Sequence, residues 1–97
     1  MIYLDYTANT PADPDVLDAY LAAERRYIAN PNSTHIAGQE ARAEMERVTQ
    51  SIAQHLGVQP AEIIYTSGAS EANNLALKGI AHASRHIGKH IISTQLA

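Results

Sequence analysis

Glu62-Ile63-Ile64-Tyr65-Thr66-Ser67-Gly68-Ala69-Ser70-Glu71-Ala72-Asn73-Asn74-Leu75-Ala76-Leu77 is the stretch that decides the fold. A short β-branched run breaks at Ser-Gly-Ala-Ser and restarts with the apolar spacing of a helix. Such a break leaves backbone N–H groups without intrahelical acceptors, at the positive end of the helix dipole. The turn is therefore an anion site in waiting, and phosphate is the expected anion. A plainer reading stays open beside it. Gly68 then supplies only a permissive backbone, and Ser70 is an ordinary N-cap with Glu71 in the first turn. The turn is not a Walker loop, since no Gly-Lys-Ser/Thr follows, and it lacks the second and third glycines of a dinucleotide fingerprint.

Working outward, the segment after the turn predicts a helix from about Ser70 to His86, broken at Gly88-Lys89. His90-Ile91-Ile92-Ser93-Thr94 reads as a strand, as does Glu62–Thr66. Strand, helix and strand of these lengths predict a βαβ unit with a parallel sheet and a right-handed crossover. Upstream, Ala37, Ala41, Met45, Val48, Ile52 and Leu56 mark one apolar stripe of a long helix that Gly57 ends, and Arg42 lies off that stripe. Another helix runs from near Pro14 to about Ile28, capped by Asp13 or Asp15. Between them lies a loop of turn formers, Asn30-Pro31-Asn32-Ser33-Thr34-His35. Its polar residues read either as functional or as bonded to local backbone. Ile2–Asp5 is a short extended segment.

The chain has 97 residues, 45% of them hydrophobic and 18% charged, which places it among folded proteins and allows one small domain at most. The net charge of -3, without a basic block, argues against nucleic acid. No apolar run reaches the roughly 20 residues of a membrane span, and the first residues carry no signal-peptide pattern. Cys is absent, which excludes disulfides and thiolate metal sites within these residues and fits a cytoplasmic setting. His82 and His86 share a helix face but lack a third ligand nearby in sequence, so no metal site is expected.

Four segments together resemble the N-terminal portion of the cysteine desulfurases, within the class V aminotransferase group of pyridoxal-phosphate enzymes. Tyr3-Leu4-Asp5-Tyr6-Thr7-Ala8-Asn9-Thr10-Pro11 is similar to the family's opening segment. Asn9 departs from its usual second Thr, and Tyr6 stands where Ser, Asn or His is commoner; these departures bear on substrate preference rather than fold. The Asn30–His35 loop with Gly38 resembles the family's Asn-Pro-x-Ser loop with its His and Gly. Tyr65–Asn74 resembles its Phe-Thr-Ser-Gly-Ala-Thr-Glu-x-x-Asn segment, and Lys89–Thr94 the strand that follows.

The resemblance implies an α/β fold: the N-terminal part of a fold-type I, aspartate aminotransferase-like transferase, an incomplete parallel-sheet βαβ unit preceded by helices. Residues 1–13 would form an N-terminal arm or small-domain segment, and 14–97 the start of the large cofactor-binding domain. It implies pyridoxal 5'-phosphate as cofactor, its phosphate held by Gly68, Ala69 and Ser70, with Ser for Thr keeping the hydroxyl. Asn32 and His35 become substrate-side candidates. The ring-stacking His, the Asp at the pyridine nitrogen, the Schiff-base Lys and the sulfur-accepting Cys fall beyond Ala97 in the family, so no catalytic residue maps onto this stretch.

The implied activity is removal of sulfur from L-cysteine to give alanine and an enzyme persulfide, for sulfur transfer and iron–sulfur cluster assembly. A homodimer and a sulfur-acceptor protein are the implied partners. Alternatives are a related class V enzyme such as a selenocysteine lyase or, were the chain to end at Ala97, a non-catalytic binding module.

Overall fold

The structure is a computed structural model, and it describes residues 1–95. Leu96 and Ala97, which the sequence reading includes in the large-domain segment, lie outside the described residues. The chain divides into two compact units, one spanning Met1–Glu62 and one beginning at Ile63.

The first unit holds two helices. Helix α1 is Pro14–Arg26. Asp13 caps it, its Oδ1 accepting from the Asp15 N–H at 2.8 Å, and Pro14 occupies the first turn, where its missing N–H costs nothing. Asp15 in the first turn and Arg25 and Arg26 in the last complement the helix dipole. The helix stops two residues short of the expected Ile28, because Tyr27 already leaves helical geometry while its N–H still bonds the Ala23 carbonyl at 2.9 Å.

Helix α2 is Ile36–Leu56. It ends where the glycine predicts. Gly57 adopts φ 68°, the left-handed region that favours glycine. The Val58 N–H bonds the Ala53 carbonyl at 3.0 Å and the Gly57 N–H that of Gln54 at 3.3 Å, a Schellman cap. Beyond it the chain makes a tight 3₁₀ turn, Pro60–Glu62, that packs back on α2. The expected apolar stripe of α2 is only partly covered. Ala41 and Ala53 are the buried hydrophobic residues among those described, whereas Met45, Val48 and Leu56 stay exposed.

The second unit contains α3, Ala69–Ala83. It ends three residues before His86. Ser84 takes over as the cap, and i+3 bonds from Arg85 to His82 and from Ile87 to Ser84 turn the chain away.

The expected βαβ unit is the main correction. The helix between the two runs is present, but among the described residues there is no β-strand. Glu62 belongs to the 3₁₀ turn: its N–H bonds the Gln59 carbonyl at 2.9 Å, and its carboxylate accepts from the Gln59 N–H at 2.7 Å. Residues 63–66 and 90–94 are irregular. A strand exists only through the ladder it shares with a neighbour, and an apolar β-branched run does not supply that neighbour.

Candidate functional site

The strand-to-helix turn sits in the second unit. Gly68 is the N-cap of α3, and no side chain caps the helix there. Ser70 is therefore not the N-cap that the plainer reading expected. It lies in the first turn, and among the described residues its hydroxyl bonds no partner. The first intrahelical bond of this turn runs from the Ala72 N–H to the Gly68 carbonyl at 3.1 Å. The N–H groups of Ala69 and Ser70 thus lack intrahelical acceptors.

Two side chains brace the turn. The Thr66 hydroxyl donates to the Gly68 carbonyl at 3.2 Å. Glu71 folds back on Ser67: its Oε2 accepts from the Ser67 N–H at 2.8 Å and from the Ser67 hydroxyl at 2.6 Å. These two bonds hold the Glu71 carboxyl below its ordinary range, the side-chain hydroxyl contributing most. They also tie the acid that would otherwise cap the helix to the residue before it.

A lowered carboxylate pKa stabilises the fold above the ordinary glutamate value. That contribution is lost as the pH falls through the lowered value. Following the Ser67 amide resonance through an acid titration is expected to show a midpoint below that of an unpartnered glutamate. An ordinary midpoint would mean that the brace does not form in solution.

The donor set fits a phosphate group. Two backbone N–H groups, one free hydroxyl and the positive helix end converge on one turn. A Cβ at Gly68 would meet nothing within 4 Å, so the approach is open. This is the set expected of a cradle for the phosphate of pyridoxal phosphate.

The second set of candidates lies in the first unit. His35 is the N-cap of α2, its Nδ1 accepting from the Gly38 N–H at 3.2 Å. In the neutral ring that bond places the proton on Nε2, which alone is left for other work. Asn32 lies on the rim of a cleft of about 360 Å³ lined also by Pro31, Arg42, Thr49 and Gln50. Its backbone N–H donates to Asn30 Oδ1 at 2.8 Å. The loop is bonded to local backbone, as one of the two readings expected. Its backbone is bonded locally, while the Asn32 amide makes no side-chain bond among the described residues.

Sequence reasoning missed two residues that hold this loop, Gln39 and Arg42. Gln39 Nε2 donates to the Thr34 carbonyl at 2.8 Å, and Arg42 Nε to the Pro31 carbonyl at 2.9 Å. In the sequence Arg42 stands only as a position off the apolar stripe, and Gln39 is not singled out. The signal was their spacing from His35 and Gly38, four residues on one helical stripe. A charged cluster nearby involves Glu44, whose carboxylate Arg47 grips with Nε and Nη2 at 2.9 and 2.6 Å. That grip holds the Glu44 carboxyl below its usual range. Arg47 is exposed and Glu44 half-buried, and a pair so open to solvent contributes little to stability.

A profile of the Aminotransferase class-V family matches residues 2–97. The chain belongs to the class-V aminotransferase family. That membership carries the fold-type I architecture of pyridoxal-phosphate enzymes as the family's fold. Over 95 residues the chain is 50% identical to a cysteine desulfurase of Homo sapiens, covering 97% of this chain and 21% of that protein. It is 43% identical to the mitochondrial cysteine desulfurase of Arabidopsis thaliana, with the same coverage. It is 41% identical to the cysteine desulfurase IscS of Dictyoglomus turgidum, covering 98% of this chain and 24% of that protein. The chain thus spans about a fifth of the length of the relatives it matches.

Proposed function

We propose that this class-V aminotransferase chain is the N-terminal part of a pyridoxal-phosphate-dependent cysteine desulfurase acting on L-cysteine. The observation that carries the reading is the open N-terminus of α3, Gly68-Ala69-Ser70, which lies within a stretch half identical to a named cysteine desulfurase. In this reading the N–H groups of Ala69 and Ser70 and the Ser70 hydroxyl hold the cofactor phosphate. Gly68 lets the phosphate approach the backbone closely. When bound, the cofactor supplies an electron sink for breaking the substrate's carbon–sulfur bond.

Asn32 and His35 face the substrate side, His35 through its Nε2. The segments 63–66 and 90–94 pair as parallel strands once further chain supplies the ladder, and residues 1–13 form an arm. Exposed apolar side chains along α1 and α3, among them Val16, Tyr20, Leu77 and Ile80, are then covered by the rest of a homodimer. A sulfur-acceptor protein, iron–sulfur assembly and a cytoplasmic location complete the proposal.

The test is turnover by the full-length protein loaded with pyridoxal phosphate. Alanine and sulfane sulfur are expected from L-cysteine in equal amounts. Turnover of selenocysteine with none of cysteine would replace the desulfurase by a lyase. Failure to retain the cofactor would remove both readings.

A further inference from the structure

The first two turns of α2 present a stripe to the Asn30–His35 loop, and every member of the stripe meets loop backbone or caps the helix beside it. The His35 ring caps Gly38. Gly38 lies so close that an added Cβ would stand 2.6 Å from the Ser33 carbonyl oxygen and 2.8 Å from that of Asn30. Gln39 bonds the Thr34 carbonyl, and Arg42 bonds that of Pro31.

The Arg42 contact differs from the others in what it holds. The Pro31 carbonyl and the Asn32 N–H belong to one peptide plane. Its oxygen accepts from Arg42 Nε at 2.9 Å, and its N–H donates to Asn30 Oδ1 at 2.8 Å. A peptide unit is rigid and planar, so fixing both its polar atoms fixes the plane. That plane carries the Cα of Asn32. The contact reaches across 11 positions of sequence, farther than any other side-chain bond to the loop. A second turn closes the loop behind it, from the Ser33 N–H to the Asn30 carbonyl at 2.9 Å.

We infer that Arg42 is a positioning residue: by clamping the Pro31–Asn32 peptide plane it sets the direction in which the Asn32 amide meets the substrate. Arg42 acts through the backbone and does not itself contact the reacting atoms. Only Nε is engaged in the clamp; the stem lines the same cleft as Asn32. The role rests on the reading of Asn32 as substrate-facing.

The experiment uses the full-length, cofactor-loaded protein and two variants. Arg42→Met keeps the stem and removes the donor; Arg42→Lys restores a donor without the planar fork. Two readouts are taken: hydrogen exchange of the Asn32 amide, and KM and kcat with L-cysteine. In Arg42→Met the Asn32 amide is expected to exchange roughly tenfold faster, since its plane is held at one end only. KM is expected to rise several-fold with kcat changed less than about twofold, the pattern of lost ground-state binding. Arg42→Lys is expected to recover part of both.

Unchanged exchange at Asn32 would overturn the clamp. Faster exchange with unchanged KM and kcat would overturn the positioning role while leaving the clamp intact. A wild-type protein inert toward L-cysteine would sink the desulfurase reading and the substrate role together. The exchange readout would still judge the clamp by itself.

Discussion

Ser70→Ala in the full-length protein is expected to weaken retention of pyridoxal phosphate by roughly one to two powers of ten. The Ser70 hydroxyl lies in the first turn of α3, where it is not consumed as a cap and bonds no partner among the described residues. A hydrogen bond to a charged acceptor contributes about 1.5–3 kcal/mol, and about 1.4 kcal/mol is a factor of ten. Titration of the apo-protein with cofactor, read by absorbance, measures the loss. Ser70→Thr keeps the hydroxyl and is expected to retain affinity, which separates a lost donor from a disturbed helix. Equal affinity in the alanine variant would take Ser70 out of the phosphate cradle. The N–H groups of Ala69 and Ser70 remain in either variant, so some binding persists. The expectation is a weakened cup rather than an absent one.

The second large effect is expected at Gly38. Its missing side chain lets α2 approach the loop so closely that a methyl group would stand 2.6 Å from the Ser33 oxygen and 2.8 Å from the Asn30 oxygen and the Ser33 Cβ. Two of these neighbours are backbone atoms in a hydrogen-bonded turn, and neither can swing aside as a long side chain would. Gly38→Ala is therefore expected to cost about 1–3 kcal/mol, the usual range for overpacking. Alanine's better helix propensity returns at most about 1 kcal/mol. The denaturation midpoint of the full-length protein should fall accordingly. Displacement of the loop should also raise KM, because Asn32 and the His35 cap move with it. An alanine variant as stable as wild type, with the Ser33 amide still protected from exchange, would show that the close approach does not hold in solution.

These two expectations come from different kinds of legibility. The turn before α3 was visible in the sequence, because everything that makes it lies within the five residues Ser67–Glu71. A glycine opens the helix, a serine follows at the second helical position, and a glutamate at the third folds back to Ser67. The same locality made α1 and α2 readable, through Asp13 and Pro14 at one start and Gly57 at the other end. The local errors were the ends of α1 and α3, which stop at Arg26 and Ala83, and the cap of α3. Serine is the stronger capping residue by propensity, yet Gly68 takes the position, and the Glu71 carboxylate bonds Ser67 in front of it.

Gly38 and Arg42 were not legible in that way. A glycine inside a helix and an arginine off its apolar stripe have ordinary explanations in any single sequence. Their roles depend on the loop folding back across the first turns of α2, a contact made between residues 11 positions apart in the case of Arg42. The two β-branched runs show the reverse failure. Their composition favours strands, but composition cannot provide the neighbour that a ladder requires, and they remain irregular among the described residues. The sequence by itself determined the helices and the Gly57 stop of α2, because caps and helical periodicity are settled within one or two turns of chain. Only the tertiary structure decided which face of α2 holds the loop and that the strand-like runs form no β-ladder among the described residues, because close approach and pairing are set by residues far apart in the chain.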